Sequence, residues 1–314
     1  MTNLIFCLMG PTASGKTQLA CELAQQVPVE IISVDSAMVY REMNIGTAKP
    51  DAEILARIPH HLIDMIDPPD SYSAACFCND VAHLTDEIKR RGKVPLLVGG
   101  TMMYFRALQQ GLSSLPPADE SIRAILLQQA EEHGWAYMHQ KLGRVDPVTA
   151  ARIHPNDSQR IQRALEVYQL TTKPLSVFLQ TAKAPSAYRF VNFSLIPEER
   201  SWLHERIAQR FTHMLQNGLV DEVVGLLQKW QLTLQHPSMR SVGYRQVLLH
   251  LQGEYDYATL CANGTAATRQ LAKRQLTWLR HWPDTYAFVA ENPASTGEIM
   301  AIMQQILDNP FEET

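Results

Sequence analysis

The sequence predicts an α/β fold: a parallel sheet wound with helices and interrupted by an inserted all-helical lobe. Three observations carry that prediction. Apolar, β-branched runs recur through the first hundred residues, and stretches of helical spacing stand between them. From Asp119 to about Gln180 the pattern is almost purely helical. Tyr188 to Ile196 (YRFVNFSLI) then alternates apolar and polar residues, as expected of a strand that rejoins the sheet.

Composition agrees with a large buried core. The chain has 314 residues, 46% hydrophobic and 19% charged, which argues against disorder. Its net charge of -4 predicts no general affinity for nucleic acid or anionic membrane, so any nucleic-acid site must be local. The five cysteines lack metal-ligand spacing; Cys76 and Cys78 stand only two apart, which is not C-x-x-C. Reduced thiols in a cytosolic protein are expected. The eleven histidines show no metal spacing, and the adjacent His60 and His61 are read as structural. No apolar run reaches membrane-spanning length and no charged leader precedes the first strand, so a soluble, cytoplasmic protein is expected.

The first strand, Leu4 to Met9 (LIFCLM), runs into Gly10-Pro11-Thr12-Ala13-Ser14-Gly15-Lys16-Thr17. This is G-x-x-x-x-G-K-S/T between a strand and a helix, the context in which it binds phosphate. Gly10 and Gly15 let successive NH groups turn inward, and the positive end of the following helix faces the same point. Lys16 adds a mobile charge, and the Thr17 hydroxyl is placed for a magnesium ion bridging two phosphates. Val29 to Val34 (VEIISV) is a second strand ending at Asp35-Ser36. The polar stretch from Tyr40 to Asp70 is too long for a simple connection and reads as a functional loop or short helices over the site. Ser73 to Arg91 reads as a helix, and Val94 to Val98 as a third strand running into Gly99-Gly100-Thr101. Ligands bind outside the carboxyl ends of such strands, so Lys16, Asp35 and Thr101 should converge on one pocket.

Composition shifts after Gly111. Pro116-Pro117 opens the lobe, whose helices break at Pro147, Pro155 and Pro174. The expected division is residues 1–114 as the first part of the core, 115–187 as the lobe, and 188–314 as the completion of the core. In that last part helices are expected at Trp202 to Asn217 (stopped by Gly218), Val220 to Trp230, Ser241 to Leu251 and Thr265 to Trp282.

Asp35 stands near an anion site, where a carboxylate makes sense if it removes a proton or binds metal; the alternative is a cap for the segment at Ser36-Ala37-Met38. Thr101 could donate to a leaving oxygen or cap the helix from Met102. Thr265 to Trp282 holds Arg269, Lys273, Arg274 and Arg280 with no acidic residue, and Trp278 and Trp282 are interleaved. In an acidic chain this is where an RNA backbone with a stacked base is expected, against the blander reading of a solvated helix face. Arg240 and Arg245 flank Gly243-Tyr244, and Arg160 and Arg163 lie one helical turn apart. Arg206 and Arg210, four apart, are either surface residues or a clamp on a diphosphate. An apolar strand ending in a magnesium-holding acid, normal in nucleotide hydrolases, is missing; Val94 to Val98 ends in glycines instead. The loop therefore reads as a diphosphate holder without hydrolytic apparatus.

Together these residues are similar to the tRNA dimethylallyltransferase family, also called tRNA isopentenyltransferases. The resemblance rests on GPTASGKT, on SVDSAMVYREMNIGTAKP at Ser33 to Pro50, and on LLVGGTMMY at Leu96 to Tyr104. It continues in ARIHPNDSQRIQRALEV at Ala151 to Val167, SVGYRQ at Ser241 to Gln246, and ATRQLAKRQLTWLR at Ala267 to Arg280. It implies a core related to P-loop kinases, with a lobe that closes on tRNA. The implied reaction moves the dimethylallyl group from dimethylallyl diphosphate to the exocyclic amine of the adenosine 3' of the anticodon.

The resemblance further implies roles. Asp35, Thr101 and Lys16 would be catalytic, with Asp35 taking the amine proton and Thr101 serving the bridging oxygen. Gly10, Thr12, Ala13, Ser14, Gly15, Lys16, Thr17 and Arg210 would hold the diphosphate, and Thr17 the magnesium ion. Contacts to the tRNA anticodon stem-loop would fall on Asp35, Ser36, Ala37 and Met38, on Thr101 and Arg123, and on Gln159, Arg160, Ile161, Gln162 and Arg163. They would continue on Arg240, Ser241, Val242, Gly243, Tyr244 and Arg245, and on Lys273, Arg274, Gln275, Leu276, Thr277, Trp278, Leu279 and Arg280. A monomer is expected, since one lobe and one core can enclose an anticodon loop. Two other readings fit parts of the chain: a P-loop kinase moving phosphate from ATP to a metabolite, and a nucleotide-gated RNA-binding switch. Each leaves a feature idle or lacks one, the basic helix for the kinase and the magnesium-holding acid for the switch.

Overall fold

Every residue of the run Leu4 to Met9 is buried, so this strand has to be covered on both faces. The structure, a computed structural model, describes residues 3–113, 115–180, 186–254 and 256–309. In chain order the core begins β1 (Leu4–Met9), α1 (Lys16–Gln26), β2 (Val29–Val34), α2 (Ala52–Arg57), β3 (His60–His61), α3 (Ala74–Arg90), β4 (Val94–Gly99) and α4 (Met102–Gln110). There follow α5 (Glu120–Val145), α6 (Pro147–Ala150), α7 (Ser158–Thr171) and α8 (Leu175–Gln180). The core resumes with β5 (Arg189–Ile196), α9 (Arg200–Gln216), α10 (Leu219–Lys229), α11 (Tyr244–Leu251), α12 (Tyr257–Arg280), β6 (Thr285–Val289) and α13 (Ser295–Asp308).

The described strands form one sheet in the order β3-β2-β4-β1-β5-β6, with every neighbouring pair parallel. The two-residue period of a strand divides β1 between two cores. Leu4, Phe6 and Leu8 pack with Leu19, Leu23, Ile299 and Met303 of α1 and α13. Ile5, Cys7 and Met9 pack with Phe77, Val81, Phe105 and Leu279 of α3, α4 and α12. Burying each such side chain contributes about 1.5–3 kcal/mol, which makes β1 the hub of the sheet.

The chain divides into two compact units: residues 1–109 with 186–314, and residues 110–185. The boundary expected at Ser114 lies outside the described residues. The second unit has its own core of Leu126, Met138, Leu142, Ile161 and Leu165. No helix of the described residues is long and apolar enough to cross a membrane.

Several elements differ from the sequence expectations. The stretch from Tyr40 to Asp70 holds a short helix, α2, as expected, but also a two-residue edge strand, β3, whose Ile31–His60 and Ile32–His61 pairing local propensity does not signal. His61 there bonds buried Glu30 at 2.8 Å. The Glu30 carboxyl is held down to about 2, first by its hydrogen bonds from Arg91. The helix expected from Thr265 begins two turns earlier, at Tyr257, where the Asp256 side chain caps it through Thr259 N. The helix expected from Ser241 begins at Tyr244, after a 3-10 turn at Ser238–Arg240. Beyond the last expected helix, β6 extends the sheet and α13 covers one of its faces.

Candidate active site

Strand register brings the chemistry together. Met9 and Val34 both pair with Gly99, so the residues that follow these three strands leave the sheet at one edge. They are the phosphate loop, Asp35 and Gly100-Thr101. A cleft of about 970 Å³ opens there, lined by Thr12, Lys16, Thr17, Asp35, Thr101, Arg206, Arg210 and Arg274, among others, all within the first compact unit.

The phosphate loop is held from several sides. Gly15 takes a left-handed conformation (φ 93°), which turns the chain into α1. The NH groups of Lys16 and Thr17 stand in the first turn, where a helix offers them no carbonyl. Lys16 Nζ donates to Pro11 O at 2.6 Å, and Arg206 Nε donates to Ala13 O at 2.9 Å while its guanidinium lies over the Trp202 ring at 4.8 Å. Burial, and then the neighbouring Arg210 charge, bring the Lys16 ammonium down to about 7; Asp35 pulls the other way. Burial likewise lowers Arg210, whose charge Asp35 supports. Two crowded cations with one carboxylate form a site short of negative charge, which suits a diphosphate.

Asp35 and Thr101 answer the two local alternatives in part. Asp35 Oδ1 accepts from Ala37 N at 2.8 Å and Met38 N at 3.2 Å, so this carboxylate does cap the turn that follows, while also lining the cleft. Thr101 Oγ1 accepts from Ser36 N at 3.1 Å rather than from the start of α4. An accepting hydroxyl still has its proton to donate. The long loop beside them is fixed by Glu222 of α10, which accepts from Asn44 N, Ile45 N, Gly46 N and the Tyr244 hydroxyl. Lys49 locks the same loop through Tyr40 O, Asn44 Oδ1 and Asp64.

A magnesium ion can be tested against these side chains. Ser14 Oγ is buried without a hydrogen-bond partner at the loop, and Thr17 is exposed to the cleft. Among the described residues no three His, Cys, Asp or Glu side chains converge. The fit is to a cation carried by diphosphate oxygens and met by a hydroxyl.

Residues 38–282 match the family model described as IPP transferase, and residues 3–65 match one described as isopentenyl transferase. The chain belongs to the IPP transferase family. It is 60% identical to the tRNA dimethylallyltransferase of Legionella pneumophila, over 98% of this chain and 99% of that one. It is 55% identical to that of Paraburkholderia xenovorans, over 96% and 97%. A crystal structure of the tRNA isopentenylpyrophosphate transferase of Bacillus halodurans superimposes with a TM-score of 0.72 at 35% identity, covering 98% of each chain. A eukaryotic dimethylallyltransferase described as acting on tRNA superimposes with a TM-score of 0.78 at 27% identity, over 98% of this chain and 79% of that one.

Against this IPP transferase fold, the residues expected to touch RNA separate by exposure. Ser36, Gln159, Arg160, Arg240, Arg245, Lys273, Arg274, Thr277 and Arg280 are exposed. Ala37, Met38, Gln162, Ser241, Val242 and Trp278 are half-buried. Five expectations need correcting because their side chains are buried: Ile161 in the second unit, Tyr244 against Glu222, Gln275 between Thr12 N and Gly100 O, Leu276 under the phosphate loop, and Leu279 in the sheet core. Arg123 and Arg163 are committed to buried Glu166 at 2.9 and 2.7 Å, and Arg163 also to Pro116 O at 2.6 Å. Thr12 N, expected to face the diphosphate, donates instead to Gln275 Oε1 at 2.8 Å.

Sequence reasoning also missed residues. Arg206, which the sequence allows as either surface residue or clamp, braces the loop at Ala13. Half-buried Glu222 and buried Gln275 are polar links between distant segments, and local pattern does not announce the first. For Gln275 a signal exists: it lies on the stripe Ala272, Leu276, Leu279, and a polar residue on an apolar stripe calls for a partner.

Proposed function

We propose that this chain transfers a dimethylallyl group from dimethylallyl diphosphate to the exocyclic amine of the adenosine 3' of the anticodon in tRNA, releasing diphosphate. The observation that supports the reading most is the meeting of a cation-rich phosphate loop with Asp35 and Thr101 at one sheet edge. The names of the relatives point the same way.

The adenine amine is a weak nucleophile because its lone pair is delocalised into the ring, so most of the barrier lies in departure of the diphosphate. As the C–O bond breaks, negative charge grows on the bridging oxygen, and donors already aimed there lower the barrier. Lys16, Arg210 and the NH groups at the start of α1 receive the diphosphate. The Thr101 hydroxyl, which accepts from Ser36 N, donates its proton toward the bridging oxygen. As the C–N bond forms, Asp35 takes the amine proton. A magnesium ion met by Thr17 would neutralise charge on the departing diphosphate. Contact with diphosphate favours the charged form of Lys16. The target base leaves its stack to enter the cleft, at a cost of a few kcal/mol offset by contacts to base and backbone. We assign RNA contact to the exposed residues of α12 and the Arg240–Arg245 turn. Gln159 and Arg160 of the lobe at residues 115–187 would close on the anticodon loop. The enzyme would act as a cytoplasmic monomer.

The test is one incubation of purified protein, magnesium, unmodified tRNA and dimethylallyl diphosphate labelled in its prenyl group, followed by mass analysis of the adenosine. Label on that adenosine is expected; unlabelled tRNA with consumption of added ATP would favour a kinase or switch. Asp35→Ala is expected to lower transfer by about 10²–10⁴-fold while tRNA affinity changes little. A loss of affinity equal to the loss of rate would remove Asp35 as the base.

A further inference from the structure

Gln275 is almost fully buried on α12, and both ends of its amide are used. Oε1 accepts from Thr12 N at 2.8 Å, and Nε2 donates to Gly100 O at 2.9 Å. Turning the amide over would set donor against donor and acceptor against acceptor, so the two partners fix its orientation. The fit is tight as well. A Cβ on Gly100 would come within 2.2 Å of Nε2, so the glycine is the residue that lets the amide approach the backbone. Thr101 follows directly, and its hydroxyl accepts from Ser36 N beside Asp35. One side chain thus ties the phosphate loop to the turn that carries Thr101, and through it to the Asp35 loop.

We propose that Gln275 is a positioning residue that holds the Thr101 hydroxyl in register with the phosphate loop. This deepens, and rests on, the transfer reading above. Thr101 must meet a bridging oxygen whose place is set by the phosphate loop, and a misplacement of about 1 Å between them is enough to cost most of the benefit. Thr12 NH serves the framework instead of the ligand. The same helix turn carries Arg274 into the cleft.

The experiment compares wild type, Gln275→Glu, Thr101→Ala and the double variant in transfer from dimethylallyl diphosphate to tRNA, with melting midpoints alongside. Gln275→Glu keeps the volume and the acceptor for Thr12 NH but sets a carboxylate against Gly100 O. At pH 8 it is expected to lower kcat about 10–100-fold, with KM for tRNA within about threefold. At pH 6 a protonated carboxyl can donate to Gly100 O, so the deficit against wild type should shrink by at least about threefold. In the Thr101→Ala background the same substitution should cost less than about threefold, because its route through Thr101 is gone. Gly100→Ala, which displaces the amide from the other side, should reproduce the kcat loss if Gln275→Glu does not fold. Equal cost in both backgrounds, a loss carried by KM, or a deficit that ignores pH would overturn the assignment. Wild type without transfer would instead remove the reading on which it rests.

Discussion

Two helices of this protein carry arginines that look alike in sequence and are disposed in opposite ways. On α7, Arg163 is turned inward with Arg123 onto Glu166, which is 0% exposed and also accepts from Asp119 N. On α12, Lys273, Arg274 and Arg280 are exposed and carry no ion pair among the described residues. The difference is one buried carboxylate. A cation near such a group is spent on folding, whereas a cation on a helix without acids keeps its charge for a polyanion. Counting basic residues along the chain cannot separate the two cases.

Substitutions can break or sharpen that contrast. The largest effect is expected from Glu166→Ala, which leaves the partly exposed Arg123 and Arg163 guanidinium groups without their carboxylate. A loss of about 2–3 kcal/mol in the stability of the unit at residues 110–185 should follow, read by hydrogen exchange of the α7 amides. Burial alone would raise the Glu166 carboxyl, but hydrogen bonds from Arg163, Asp119 N and Arg123 outweigh it and hold it below the usual carboxylate range. Its contribution is therefore complete above the unfolded value and lost as pH falls through the folded one. Wild type should show that acid step in α7 exchange, and Glu166→Ala should not.

Next in size, Lys273→Ala and Arg274→Ala should each weaken tRNA binding by about 1 kcal/mol and reduce the salt slope by about one, leaving the melting midpoint nearly unchanged. An unchanged salt slope would move the RNA surface off α12. The smallest effect is expected at Arg160, exposed and, among the described residues, paired with Asp157 alone at 3.0 Å. Arg160→Ala should leave stability almost untouched, since surface pairs contribute little, and should lower tRNA affinity by less than about threefold.

Much of the core was legible because its strands are continuous apolar runs that end in residues with chemistry. LIFCLM, VEIISV and the run at Val94 to Val98 name their own positions, and the loop after each names the site. The parallel register that joins Met9, Val34 and Gly99 follows from ordinary topology. The obscure parts depend on distant partners. β3 is a strand only because β2 stands beside it, and Tyr257 to Gly264 is helical because α12 packs against α9 and α11. At the site, Lys16, Asp35 and Thr101 were readable from motif and strand end. The commitments of Gln275, Glu222 and Arg123 were not, since each is decided by a carbonyl, an NH or a carboxylate far away in the chain.

The central strand has a consequence for how the protein is made. β1 is made before the other described strands, yet one of its two edges must wait for β5, which follows the whole inserted unit. At about 5–20 residues per second, roughly 5–20 s pass between delivery of Gly99 and delivery of Ile196. During that interval β1 can pair with β4 while its other edge stays bare and apolar. The insertion, built on neighbouring helices, can close meanwhile, so it acts as a timer on completion of the sheet. Slow codons within it would lengthen the exposure of that edge.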